Sequence, residues 1–195
     1  MTIVVNMFGA PGCGKSTTAA GLFYKLKLLG YEPELVREYV KRWAYKDIKV
    51  GKYDQPYLFG KQSNYETELY HKCPVVVTDS PMIMASFYNW HYNQDDSLLA
   101  PSRSLMEKAE ENGVTYINFY LYRTFDYVQN SRYETEEEAK KVDAGMYHYL
   151  DERNIAFAQR IKGVAEDRVD EILAHVVKKL QELKGPRQQA IDANP

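Results

Sequence analysis

Nothing constrains this chain more than the stretch Gly9-Ala10-Pro11-Gly12-Cys13-Gly14-Lys15-Ser16-Thr17. An apolar run, Ile3-Val4-Val5 through Met7-Phe8, precedes it, and a helical pattern to about Leu29 follows. Strand, glycine-rich loop, lysine, hydroxyl and helix, in that order, make the phosphate-binding loop Gly-x-x-x-x-Gly-Lys-Ser in the context that gives it meaning. Glycines let the backbone close on an anion and aim successive N–H groups at it, and the new helix adds the positive end of its dipole. Residues 9–17 are therefore expected to hold a nucleoside triphosphate. Lys15 is expected on the β- and γ-phosphates and the Ser16 hydroxyl on Mg²⁺.

The rest of the chain supplies strands and helices in alternation. Ala19, Leu22, Phe23, Leu26 and Leu29 share a helical stripe, and Gly30 is a natural stop. Glu34-Leu35-Val36 reads as a second strand that exits at Arg37-Glu38. Residues 73–78 read as a buried third strand with Asp79 directly beyond it, and Ser80 as the cap of the following segment. Helices are expected over 56–71, 82–90, 103–111, 135–153 and 165–183. Further strands are expected over 114–122 and 155–161. Five strands alternating with helices imply an α/β fold, a doubly wound five-stranded parallel sheet with helices on both faces. One domain over 1–184 and a polar, fraying tail over 185–195 complete the expectation.

Ligands of such sheets bind beyond the carboxyl ends of the strands, which is where Glu38 and Asp79 fall. Asp79 is the expected partner of Ser16 at Mg²⁺, and Glu38 the group that orients or deprotonates an acceptor. Arg123, at the exit of the fourth strand, and Arg132, in the loop beyond, are expected to close as a lid and stabilise charge on the moving phosphoryl group. Arg103 at a helix start is a further candidate phosphate contact, and Lys162-Gly163 a border for the adenine. His91, His148 and His175 have no sequence partner that gives them chemistry.

Residues 41–62 carry six lysines and arginines against two aspartates, a net +4, with Trp43, Tyr45, Tyr53, Tyr57 and Phe59 interleaved. Amines that neutralise phosphates beside rings that stack on bases suit a nucleotide or a single strand. Aromatics packed inward beneath a solvated basic face fit the same pattern. Gln62 is either a reader of a base edge or an exposed glutamine.

Composition limits the alternatives. At 195 residues, 45% hydrophobic and 27% charged, with net charge −2, the chain has material for one full core and no global attraction to membranes or nucleic acid. Two cysteines, Cys13 and Cys73, make no disulfide framework and suit a reducing cytoplasm. No stretch approaches the roughly 20 apolar residues of a membrane span. The N-terminal run lacks a basic leader and reads as a strand rather than a signal peptide. A homodimer is compatible with all of this.

The P-loop, Arg37-Glu38, Asp79-Ser80-Pro81 and the Arg123/Arg132 pair resemble the P-loop nucleoside and nucleotide kinases, thymidylate-kinase-like enzymes with deoxynucleoside and nicotinamide-riboside kinases among them. The resemblance spans about residues 2–183. It implies a P-loop strand inside the sheet, ATP as phosphoryl donor, Mg²⁺, and Glu38 facing an acceptor hydroxyl. Thymidylate and deoxynucleoside kinases usually place an arginine after the third-strand carboxylate. Here Ser80 and Pro81 follow, which favours an acceptor hydroxyl over an acceptor phosphate. The compact, aromatic-rich form is also similar to bacteriophage-encoded kinases, one group of which phosphorylates 5-hydroxymethyluracil within DNA. That implies a nucleoside-type acceptor, in modified DNA, and the cytoplasm of a host cell. A free nucleoside or nucleotide kinase is the alternative, and an NTP-hydrolysing switch is the alternative of another class.

Overall fold

The computed structural model describes residues 1–124 and 135–192. In chain order the elements are β1 (Thr2–Phe8), α1 (Lys15–Leu28), β2 (Pro33–Val36), α2 (Lys41–Ala44), α3 (Gln55–Thr67) and β3 (Val75–Thr78). There follow α4 (Met84–Asn93), α5 (Leu99–Glu111), β4 (Val114–Leu121), α6 (Glu136–Glu152), β5 (Gln159–Ile161) and α7 (Ala165–Asp192). All pairings are parallel, and the sheet order is β2-β3-β1-β4-β5. The expected five-stranded α/β fold is therefore present, with the loop-bearing strand at its centre.

A parallel sheet must be covered on both faces, and the alternation of side chains along β1 divides the core accordingly. Ile3, Val5 and Met7 face α1 and α7, joining Leu22, Leu26, Ile172 and Val176. Phe8 points the other way, into Phe87 of α4 and Val142 and Met146 of α6. Val4 meets Val36, Val76 and Val114, with Tyr65, Leu69 and Tyr70 packed against them. Every residue of β1 is buried. Among the described residues no helix is long and apolar enough to cross a membrane.

Several boundaries differ from the sequence reading, each for a local reason. The fifth strand is only Gln159–Ile161. Residues ahead of it leave the ladder because Phe157 turns its ring edge-on to Phe8 and Tyr120, at 5.4 and 5.6 Å. Helix α5 begins at Leu99, with Pro101 in its first turn. There a missing N–H costs no helical hydrogen bond. Ser80 does not cap α4: its N–H donates to Thr78 Oγ1 at 3.2 Å, and the helix begins after a turn in which Met84 N–H donates to the Pro81 carbonyl. Helix α7 continues past residue 183 to Asp192. Arg103 reaches no phosphate position, because its guanidinium is bound to the Arg153 carbonyl at the end of α6.

Candidate active site

The loop at 9–14 has the shape its glycines allow. Gly9, Gly12 and Gly14 have φ of 136°, 83° and 95°. A Cβ at Gly9 would lie 2.5 Å from the Leu121 carbonyl oxygen and 2.6 Å from Cys13 Sγ, so β1 can approach β4 here only without a side chain. Gly14 starts α1 in the left-handed region, with no capping side chain and no acidic residue in the first turn. The first N–H groups of α1 are thereby left for a ligand. Lys15 Nζ donates to the carbonyls of Gly9 at 2.5 Å and Ala10 at 3.1 Å, which holds the ammonium over its own loop.

Above the loop lies a cavity of about 780 Å³. Pro11, Gly12, Gly14, Lys15, Ser16 and Thr17 form its floor. Gly9 and Ala10 contribute from behind, through the carbonyls that hold Lys15. Cys13 was expected among the ligand-binding residues. Its apolar side chain instead points into the main core, and only its peptide belongs to the loop.

Asp79 and Glu38 line the same cavity from the ends of β3 and β2. They are linked, with Glu38 N–H donating to Asp79 Oδ1 at 2.8 Å. Asp79 is buried, and this bond orients its carboxylate. Ser16 and Asp79 thus offer one hydroxyl and one carboxylate on a shared space. Among the described residues no group of three or more His, Cys, Asp or Glu side chains forms a metal centre. A sparse oxygen pair suits Mg²⁺, which keeps several waters and takes phosphate oxygens as its other ligands.

The far wall comes from residues 38–62 and from α4. Lys41, Lys49, Lys52 and Gln62 line it, facing Tyr88, Tyr92 and Asn93. The basic-aromatic segment divides within each residue type. Trp43 stacks on Tyr57 at 5.9 Å, Tyr57 shares a 2.9 Å hydroxyl hydrogen bond with Tyr39 and carries Lys61 over its ring, whereas Tyr45 and Tyr53 stand exposed. Three of its lysines face the cavity. A second groove of about 390 Å³ shares Glu38, Tyr39 and Lys41 with the cavity and adds Arg37, Arg42, Tyr45 and Tyr65. Of the three tyrosines that line the cavity, Tyr88 and Tyr92 belong to α4, one turn apart and stacked at 6.1 Å.

Gln62 is buried, and its Oε1 accepts the Tyr39 N–H at 3.0 Å. One turn further along α3, Glu66 is fully buried, and among the described residues neither carboxylate oxygen has a hydrogen-bond partner. Burial pushes its pKa from 4.5 up to about 8, and the nearby Met82 N–H and Gln62 amide, short of closed hydrogen bonds, pull it only partly back. The folded chain therefore binds more protons at this site than the unfolded chain between about pH 4.5 and 8. Stability from this group is complete below that window and is lost as pH rises through it, at up to about 1.4 kcal/mol per pH unit. Glu66→Gln, an isostere of the protonated acid, is expected to flatten the fall of melting temperature between pH 5 and 8. Parallel melting curves for the two proteins would contradict the assignment.

Arg123 is placed differently from the lid position expected of it. Arg123 lies beside α6, its Nε and Nη2 on Asp143 Oδ2 at 3.0 and 2.9 Å and Nη2 on the Ala139 carbonyl at 3.2 Å. It fastens the exit of β4 to α6 and does not line the cavity, whereas Glu138, next to Ala139, does. Arg132 lies outside the described residues. Lys162 sits over the Tyr122 ring, and the Gly163 carbonyl accepts from Thr124 Oγ1 at 2.7 Å; neither lines the cavity.

One arginine escaped the sequence reading. Arg168 of α7 is fully buried, with Nη1 on the Cys13 carbonyl at 2.6 Å and Nη2 on the Tyr122 carbonyl at 2.5 Å and Thr124 Oγ1 at 2.7 Å. A signal existed: Arg168 precedes Ile172, Val176 and Leu180 at steps of four, so a cation stands in register with a buried stripe.

A sequence family described as AAA domain, AAA_28, matches residues 4–168. No match is found among curated proteins. Among solved structures the fold is similar to a mutant of the APS kinase CysC of Mycobacterium tuberculosis, with TM-score 0.51 and 15% identity over 90% of this chain and 97% of that one. It is also similar to the protein APE1195, with TM-score 0.50 and 17% identity over 91% of this chain and 95% of that one.

Proposed function

The chain belongs to the AAA domain family AAA_28, and from that premise we propose that it is an ATP- and Mg²⁺-dependent kinase acting on a hydroxyl of a nucleoside-type acceptor. One observation carries the reading: the P-loop, the Ser16/Asp79 pair and Glu38 converge on one cavity whose opposite wall carries Lys41, Lys49, Lys52, Tyr88 and Tyr92. A hydrolytic switch needs no such wall. The kinase named among its structural relatives agrees with this reading.

In the reaction the acceptor oxygen bonds to the γ-phosphorus while the bond from that phosphorus to the ADP oxygen breaks. Glu38 orients the acceptor hydroxyl and takes its proton. Lys15 and the first N–H groups of α1 hold the β- and γ-phosphates as charge moves to the leaving oxygen. Mg²⁺, when held by Ser16 and Asp79, neutralises charge on the phosphate oxygens. Arg123 and Arg132 complete the site by closing over the triphosphate, Arg123 exchanging its Asp143 contact for phosphate oxygens.

The acceptor we propose is 5-hydroxymethyluracil within DNA. Lys41, Lys49 and Lys52 on the cavity wall support a phosphodiester-bearing acceptor. The adjoining groove, with Arg37, Arg42 and three tyrosines, supports room for a flanking nucleotide. Incubation with γ-labelled ATP and parallel panels of nucleosides, nucleotides and DNA containing 5-hydroxymethyluracil tests it. Label on the modified DNA, with binding that weakens steeply in salt, is the expected result. Label confined to free nucleosides or nucleotides would remove the DNA acceptor. ATP hydrolysis with no labelled acceptor would remove the kinase.

A further inference from the structure

The Cys13–Gly14 peptide is held from behind. Peptide units are planar, and none in the described chain is cis, so the Cys13 carbonyl and the Gly14 N–H point in opposite directions. Arg168 Nη1 binds that carbonyl at 2.6 Å from within the core. Gly14 lines the cavity on the other side, and its N–H makes no hydrogen bond among the described residues. The geometry points to Arg168 as a positioning residue for the triphosphate: by gripping the Cys13 carbonyl it turns the Gly14 N–H toward the phosphates. This inference rests on the P-loop reading of the cavity.

Three features make the grip effective. The guanidinium is itself fastened, through Nη2, to the Tyr122 carbonyl and Thr124 Oγ1, and Thr124 is fastened in turn to the Gly163 carbonyl. The loop is thereby referenced to the exit of β4 rather than to a mobile side chain. Complete burial keeps water from competing for the Cys13 oxygen. A charged donor on that oxygen also polarises the peptide, which strengthens the Gly14 N–H as a donor to an anion. Lysine cannot replace this arrangement, because one ammonium cannot present two nitrogens in a rigid plane to oxygens on two segments.

Calorimetric titration with MgATP separates positioning from mere support. Arg168→Lys and Arg168→Gln are compared with the parent chain for dissociation constant and for binding stoichiometry, with melting temperatures alongside. Positioning predicts that Arg168→Lys binds MgATP roughly ten-fold or more weakly at unchanged stoichiometry, the factor expected for loss of one charge-assisted contact. Arg168→Gln should be weaker still, with KM for the acceptor unchanged in both. A purely structural role predicts fewer competent sites at an unchanged dissociation constant. That result, or an Arg168→Lys chain that does not fold, overturns the proposal. A parent chain that binds no MgATP would instead refute the P-loop reading beneath it.

Discussion

Lys15→Ala is expected to lower kcat/KM by about 10³-fold or more, the scale on which a cation at the transferring phosphate acts. In the structure the Lys15 ammonium is held at the loop by two carbonyls, those of Gly9 and Ala10. It can exchange them for phosphate oxygens with little reorganisation. Its removal takes away charge where charge develops and leaves both carbonyls without their donor. The side chain lies at the cavity floor rather than in the core, so the fold should survive. Single-turnover transfer from γ-labelled ATP, with circular dichroism to establish folding, measures the effect. A folded Lys15→Ala chain within ten-fold of the parent would exclude this residue from the transfer step.

Glu38→Gln is expected to slow transfer by about 10²–10⁴-fold, the range for losing a general base, while leaving ATP binding intact. Glu38 lines the cavity and positions Asp79 through its backbone N–H, which glutamine retains while removing the carboxylate's charge. Metal and nucleotide binding should therefore persist while the acceptor loses its proton acceptor. The rate and the MgATP dissociation constant together decide it: an unaltered rate removes Glu38 from the chemistry, and weakened MgATP binding assigns it to the metal site.

Both residues could be named from the sequence because each follows from position in a strand-loop-helix unit. A glycine-rich loop between an apolar strand and a helix has essentially one way to lie. A carboxylate directly after a buried parallel strand must emerge at the sheet's carboxyl edge. Lys15, Ser16, Glu38 and Asp79 needed no knowledge of which strand neighbours which, since every strand of a parallel sheet ends on that edge. The boundaries of β5 and α5 were less legible. They depended on where Phe157 finds its ring partners and on a proline tolerated in a first turn.

Local pattern thus determined the α/β alternation, the central loop and the four polar groups that meet in the cavity. Contacts between distant segments were decided only by the tertiary structure. The sequence could not tell that Arg123 binds Asp143 of α6, or that Lys41, Lys49 and Lys52 line the cavity while Trp43 stacks on Tyr57. Nor could it show that Arg168, 155 residues beyond Cys13, grips the loop from beneath. Periodicity reports which side of an element is buried, because burial is repeated at every turn. It does not report what a buried polar group touches, because that depends on which element the sheet order brings opposite.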